Sequence, residues 1–298
     1  MEKSIQKERR LRLAFITPTK YIKDFGSQGN FQLGLSCFID RDKVNEYEQA
    51  LIDTKQDIIL DCSTFELGRP EGVDSLIAKA VRMKASHFFA PDFLYDAKGT
   101  KEGYLATCHI MDKLGVKDLK IAVVVQGKTD QEYFDLYDYF VNEERVDLIG
   151  ISILAVPRCF GSWNTRKQIK KKRGEPKEEY SHDDREIVPS RINLLERLLQ
   201  RGGNSKNLHL LGLGDSYGDV IFAKENCPFV VSNDTSSCFQ NGLYGRSIIG
   251  DRLIVEGGKV KEKVDFDLEE ITKEQKEKIQ ENINQVKKVL CVRSIQKV

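Results

Sequence analysis

Eight short apolar runs, spaced along most of the chain, constrain the fold more than any other feature. They cover residues 11–17, 33–38, 57–62, 87–92, 120–126, 146–153, 208–213 and 229–234. Most are near-continuous Ile, Val, Leu and Phe rather than alternating apolar and polar residues. That is the pattern of parallel strands buried on both faces. Helical patterns separate many of them, at 44–54, 73–85, 103–114, 130–142, 191–200 and a short 219–225. In the second, Val73, Leu76, Ile77, Ala80 and Val81 recur at helical spacing; in the fifth, Ile192, Leu195 and Leu199 share one face. Eight strands with helices between them predict an α/β fold, a single (β/α)8 TIM-type barrel. The connection at 18–32 holds two glycines and only a weak helical pattern, so the barrel is expected to be irregular there. A doubly wound open sheet is the alternative.

The 298 residues are read as one domain, 1–298. A basic insertion at about 157–190 breaks the rhythm; it carries Arg158, Arg166, Lys167, Lys170, Lys171, Lys172, Arg173 and Lys177, with Trp163 among them. A tail at about 265–298 holds a charged helix over 267–289, with Ile271, Ile279, Ile283, Val286 and Val289 placed to pack on the outside of the domain. Lys plus Arg (47) nearly balance Asp plus Glu (46), so net charge does not announce a nucleic-acid binder. No apolar run approaches the ~20 residues needed to span a bilayer, and the charged N-terminus lacks the apolar core of a secretory signal. Seven dispersed cysteines fit reduced thiols better than a disulfide framework. A cytoplasmic protein without a membrane partner is therefore expected. No cysteine–histidine cluster has zinc spacing, and the four histidines are separate, so core or surface roles are expected for each.

In a (β/α)8 barrel the chemistry lies where strands end. Reading those ends yields Asp61, Asp92, Gln126-Gly127, 150–152 with Gly150 and Ser152, 212–214 and Asp234. A carboxylate at the exit of a buried strand is costly unless solvated, paired or used. Paired carboxylates suit glycosidic-bond chemistry, where one attacks the anomeric carbon and another moves protons. An Asp beside a Gln suits a purine-like edge, since the Asp accepts from N–H groups and the amide both gives and takes.

At these ends the chain resembles a known family. Asp61-Cys62-Ser63-Thr64-Phe65-Glu66 resembles the Asp-Ser-Gly-Gly-Tyr/Phe-Gln motif of tRNA-guanine transglycosylases. Val125-Gln126-Gly127 is similar to their Gln-Gly strand end, and Leu211-Gly212-Leu213-Gly214 to their Gly-Val-Gly segment. Ser232-Asn233-Asp234, followed by Asn241-Gly242, resembles the segment that carries their nucleophile and the Arg-Asn-Gly after it. Order and spacing agree over roughly residues 11–245. The departures are the missing Cys-x-Cys-x-x-Cys plus His zinc site, Ser63 and Thr64 in place of two glycines, and no additional RNA-binding domain. They look most like the DNA-7-deazaguanine transglycosylase branch of phage and bacterial DNA modification, whose location is the cytoplasm, or the host cytoplasm for a phage.

The resemblance implies a base exchange without cofactor or metal. Asp234 is the implied nucleophile and Asp61 the implied general acid/base. Asp92, Gln126 and Gly127 would hold the base edge, with Gly150, Ser152 and Ser63 completing the pocket and Phe65 stacking on the base. The implied partners are DNA, with tRNA as the alternative, and a free 7-deazaguanine such as 7-cyano-7-deazaguanine; the need for a helper protein and the oligomeric state are left open. Trp163, Arg166, Lys167, Lys170, Lys171, Lys172 and Arg173 are the candidate phosphate-backbone clamp.

Each residue also has a plainer reading. Asp61 fits a helix or turn cap, Asp234 an Asx turn, Asp92 loop punctuation after Pro91, and Gln126-Gly127 an ordinary strand exit. Gly212-x-Gly214 fits a phosphate loop, Phe65 a core position, and the basic run a solvated loop. A non-catalytic nucleic-acid-binding subunit and an unrelated barrel enzyme acting on phosphorylated metabolites are the competing functions.

Overall fold

A computed structural model describes residues 11–161, 186–203, 205–260 and 262–291. Its core is eight parallel strands: β1 (Arg12–Phe15), β2 (Gln32–Leu35), β3 (Ile58–Asp61), β4 (His87–Phe89), β5 (Lys120–Val125), β6 (Val146–Ile151), β7 (Asn207–Leu210) and β8 (Val230–Thr235). They follow one another in the order β1-β8-β7-β6-β5-β4-β3-β2, a nearly closed (β/α)8 barrel rather than an open doubly wound sheet. The near-continuous apolar runs have the predicted cause: strand residues such as Ile59, Leu60, Ala122, Val123, Ile149 and Leu208 are almost wholly buried, because the strands are covered by side chains inside and helices outside.

The one seam in the barrel lies between β1 and β2, where the irregular connection was expected. Two single 3-10 turns, Thr19–Tyr21 and Gly26–Gln28, replace a crossover helix. Asn30 then bridges the seam: its N–H donates to the Leu13 carbonyl (2.7 Å) and its Oδ1 accepts from Leu13 N–H (3.0 Å). Gly29 permits this approach, since a Cβ there would lie 2.6 Å from the Leu13 carbonyl oxygen.

The helices are α1 (Glu46–Asp53), α2 (Thr64–Leu67), α3 (Val73–Arg82), α4 (Ala97–Leu114), α5 (Asp130–Asn142), α6 (Ala155–Phe160), α7 (Ile187–Gln200), α8 (Gly218–Asn226), α9 (Ser237–Leu243) and α10 (Lys273–Cys291). Helix α4 starts at Ala97, six residues before the 103 read from periodicity. The Asp96 side chain caps it by accepting from Gly99 N–H (2.9 Å), so the helix gains the residues from 97 to 102. Helix α10 starts later than 267 because Thr272 and Gln275 form a reciprocal capping box: Thr272 Oγ1 accepts from Gln275 N–H (3.1 Å), and Gln275 Oε1 accepts from Thr272 N–H (2.8 Å).

The stretch expected as a basic insertion from 157 is helical at both described margins. Helix α6 runs through Pro157, tolerated because it sits in the first turn, and buries Ala155, Val156, Cys159 and Phe160. Helix α7 begins at Ile187. Trp163, Arg166, Lys167, Lys170, Lys171, Lys172 and Arg173 lie outside the described residues.

After β8 the chain forms α9, a short hairpin of β9 (Ile248–Ile249) and β10 (Ile254–Val255), and then α10. The last helix packs on the outside as expected, burying Ile279, Ile283, Val286 and Leu290. Buried Asn282 stitches it down: Oδ1 accepts from Ile248 N–H (2.8 Å), and Nδ2 donates to the Arg246 carbonyl (3.0 Å). Among the described residues no helix is long and apolar enough to cross a membrane.

Candidate active site

A cavity of about 620 Å³ opens at the carboxyl ends of the strands, lined by Asp61, Phe65, Glu66, Ser152, Leu211 and Asp234 and by the segment that carries Lys259 and Lys263. Its position is the one that barrel topology dictates, since successive strand ends converge there.

Asp234 is anchored in it on one side. The carboxylate is 10% exposed. Its Oδ1 accepts from Gly212 N–H (2.9 Å) and lies 3.0 Å from His209 Nε2. Its Oδ2 has no hydrogen-bond partner among the described residues. One oxygen is therefore anchored on a residue that borders the cavity, and the other is uncommitted. Gly212 can offer its N–H because it turns at φ +65°, a left-handed conformation that glycine adopts without strain. The turn is held from behind. Asn233 Nδ2 donates to the carbonyls of Leu210 (2.8 Å) and Gly212 (3.0 Å), and the fully buried Arg191 donates to the carbonyls of Gly212 (3.1 Å), Ile151 (2.9 Å) and Leu211.

Asp61 sits at the tip of β3, with Oδ2 accepting from Ser63 N–H (2.9 Å). Burial pushes its carboxyl well above the usual carboxylate range, and the charges of Glu66, Asp92 and Asp234 push the same way. Asp61 is thus set to carry a proton where an ordinary aspartate would not. Glu66 borders the same cavity; its Oε2 is buried with no hydrogen-bond partner among the described residues, and burial raises its pKa too, with Asp234 adding and Lys263 opposing. Phe65 is 47% exposed at the mouth, with Lys263 Nζ 5.2 Å from its ring centroid. It is a platform at the rim and not a core residue.

The remaining strand-end residues divide differently. Ser152 borders the cavity, but its hydroxyl already accepts from Leu154 N–H (3.0 Å) in the turn that leads to α6. Asp92 and Gln126 are buried and bonded to each other: Gln126 Nε2 donates to Asp92 Oδ2 (2.5 Å), Cys62 Sγ donates to Asp92 Oδ1 (3.0 Å), and Gln126 Oε1 accepts from Tyr95 N–H (3.1 Å). Burial raises the Asp92 pKa against these bonds. The pair lies beside the cavity and is not part of its lining. Ser63 and Gly127 also lie outside the lining. Ser63, at φ 57°, ties the β3 exit to the β2 exit by accepting from Cys37 N–H (3.1 Å). Gly127 lets α5 approach, since a Cβ would stand 2.9 Å from Tyr133 N. Gly150 makes room inside the barrel, where a Cβ would meet Phe89 and Leu211 side chains at 2.9 Å.

Two groups escaped the strand-end reading. Glu66 lies one turn beyond the strand tip, within the quoted motif yet not singled out. His209 was assigned a core or surface role. It is indeed fully buried, with ring contacts to Phe31 and Phe89 inside the barrel, but it also touches Asp234. The available signal was a titratable ring in the middle of an apolar strand, which burial makes costly without partners. Among the described residues no group of three or more His, Cys, Asp or Glu is arranged to hold a metal ion. No protein-family model matches this chain, and no curated protein matches it.

Proposed function

We propose that the protein is a base-exchange transglycosylase that replaces guanine in DNA with a 7-deazaguanine through a covalent aspartyl–sugar intermediate. The observation that carries this reading is the pairing, on one cavity, of a carboxylate with one oxygen anchored and one uncommitted (Asp234) and a carboxyl whose pKa is raised by burial and neighbouring charge (Asp61). The first suits a nucleophile and the second an acid/base. A volume of about 620 Å³ falls within the range of roughly 300–1,000 Å³ typical of small-ligand sites.

In the first step a lone pair of Asp234 Oδ2 forms a bond to the sugar C1′ as the C1′–N9 bond breaks. The departing base takes that electron pair and a proton from Asp61. In the second step the incoming 7-deazaguanine gives its N9 proton to Asp61 and attacks C1′, and the C1′–Oδ2 bond breaks to regenerate Asp234. The target nucleotide leaves the helical stack to reach the cavity, and Phe65 at the rim offers its ring to a base. Asp92 and Gln126 contact the base edge only by exchanging their mutual hydrogen bond for bonds to the ligand.

The test is incubation of the protein with DNA and 7-cyano-7-deazaguanine, followed by nucleoside mass analysis and by mapping of any covalent DNA–protein adduct after denaturation. A modified deoxynucleoside and an adduct on Asp234 are expected. An adduct on another residue, or none with any single or double strand, removes Asp234 from this role. Parallel reactions with tRNA separate the same exchange on RNA, and retained DNA binding without exchange identifies a non-catalytic binding subunit.

A further inference from the structure

Beneath Asp234 the structure holds a buried hydrogen-bonded line: Ser232 Oγ lies 2.8 Å from His209 Nδ1, and His209 Nε2 lies 3.0 Å from Asp234 Oδ1. Ser, His and Asp in this order invite comparison with a serine-nucleophile triad. The accessibility runs the other way. Ser232 and His209 are 2% and 0% exposed and do not line the cavity, whereas Asp234 does. The serine is at the closed end and the carboxylate at the open end, so the line supports the carboxylate rather than activating the hydroxyl.

We infer that His209 is the positioning residue of the Asp234 nucleophile, itself held in place by Ser232. The inference rests on the base-exchange reading for its catalytic meaning, though the contact itself does not. A carboxylate only accepts hydrogen bonds, so Nε2 carries the proton that reaches Oδ1. The Ser232 hydroxyl both donates and accepts and can meet Nδ1 in either state. The geometry arises from strand register. β7 pairs with β8 as Leu208 with Val230 and then His209 with Ser232, so the register slips by one residue between them. That slip puts His209 level with Ser232, and Asp234 lies two residues further along the same face. Phe31 and Phe89 pack on the ring edge-on and tilted, with centroids 5.9 and 6.0 Å away, and restrict its rotation.

With Oδ1 fixed by His209 and Gly212, rotation of the carboxylate about its Cβ–Cγ bond is suppressed and Oδ2 is held toward the cavity. The same two donors stabilise Asp234 as the leaving carboxylate in the second step. His209 neither touches substrate nor transfers a proton to it.

The experiment uses the full chain. The protein has four histidines, so selective ¹⁵N-histidine labelling gives a readable imidazole spectrum with or without any substrate. A protected Nε2–H proton is expected that is absent in His209→Gln and shifted in Asp234→Ala, distinct from any on His87, whose Nε2 lies 2.8 Å from Asp147 Oδ2 and which neither variant touches. A His209 ring lacking that proton, or unaffected by Asp234→Ala, overturns the contact whether or not exchange activity is found. Absence of exchange by the wild type bears on the proposed function alone.

Given exchange, His209→Leu is expected to lower kcat by about 100-fold with KM within twofold, the size of effect produced by small misplacement of a reacting group. His209→Gln, which keeps an N–H donor, is expected to restore at least a tenth of the wild-type kcat. An unimpaired His209→Leu overturns the inference. So does an equal loss in both variants accompanied by equal losses of thermal stability, which marks a purely structural ring.

Discussion

Replacement of Arg191 by Met tests whether the support behind Asp234 is built as described. Arg191 and Asp219 are both fully buried and lie 3.0 Å apart. Arg191 also donates to three strand-exit carbonyls, those of Ile151, Leu211 and Gly212. Met keeps much of the volume and removes every donor. The carboxylate of Asp219 is left with Val220 N–H (3.0 Å) and the first turn of α8, an electrostatically favourable place that offsets only about 0.3–1 kcal/mol. Breaking one side of a buried pair costs roughly 3–5 kcal/mol. At ~2.1 cal/mol/K per residue, unfolding a chain of 298 residues carries an entropy of roughly 0.6 kcal/mol/K. The melting temperature should therefore fall by about 5–8 °C, measured by calorimetry at fixed protein concentration. The double variant Arg191→Met, Asp219→Leu should recover part of that loss, because no charge is then stranded. A single variant melting within about 1 °C of wild type, or a double variant less stable than the single, refutes the reasoning. If the protein exchanges bases as proposed, the rate should fall in both variants, since Arg191 holds the Gly212 turn whose N–H anchors Asp234.

Other consequences are equally direct. Because the folded-state pKa of Asp61 is raised, its contribution to stability is fully present below the unfolded aspartate value of about 3.9 and is lost as pH rises through the folded value. Asp61→Asn should therefore gain thermal stability relative to wild type at pH 7 and lose that advantage near pH 4; melting curves showing an equal difference at both pH values would contradict the assignment. The same variant should slow exchange by about 10²–10⁴-fold, read by single-turnover nucleoside analysis, if Asp61 moves the proton. Gly242→Ala should destabilise the protein by about 1–3 kcal/mol, seen as a lower melting temperature, because its Cβ would lie 2.6 Å from the Ile279 backbone and force α10 off α9. Phe65→Ala should weaken binding of single-stranded DNA by about 1–3 kcal/mol in a titration if the ring stacks on a base, and an unchanged affinity would return Phe65 to a passive rim.

Much of the architecture was legible in local pattern. Each of the eight apolar runs contains a strand, though that at 33–38 turns into a 3-10 helix at Ser36, and α5 runs from Asp130 to Asn142 as periodicity placed it. The misses have local causes too. Helix α4 was started at 103, six residues late, because its first turns carry few apolar residues; Gly103 itself is required where a Cβ would stand 2.5 Å from the Pro91 carbonyl. Helices α6 and α9 are too short for periodicity to register.

The candidate site was legible only in part. Asp61 and Asp234 were visible because a carboxylate ending an apolar run is conspicuous in one dimension, and both line the cavity. Strand positions, strand ends and their acidic residues are properties of consecutive residues, and the chain alone determines them; the order in which the strands pair, which makes a barrel and not a doubly wound sheet, was decided by the tertiary structure. Three features of the site were also decided only in three dimensions: that Asp92 and Gln126 bond to each other beside the cavity, that Glu66 turns into it, and that His209 stands under Asp234. The first two depend on how the segments after the strands fold back on one another, and the third on which residue of one strand lies level with which residue of the next. Between β7 and β8 that register slips by one residue. A one-residue slip changes which side chains meet, and no pattern within a single strand encodes it.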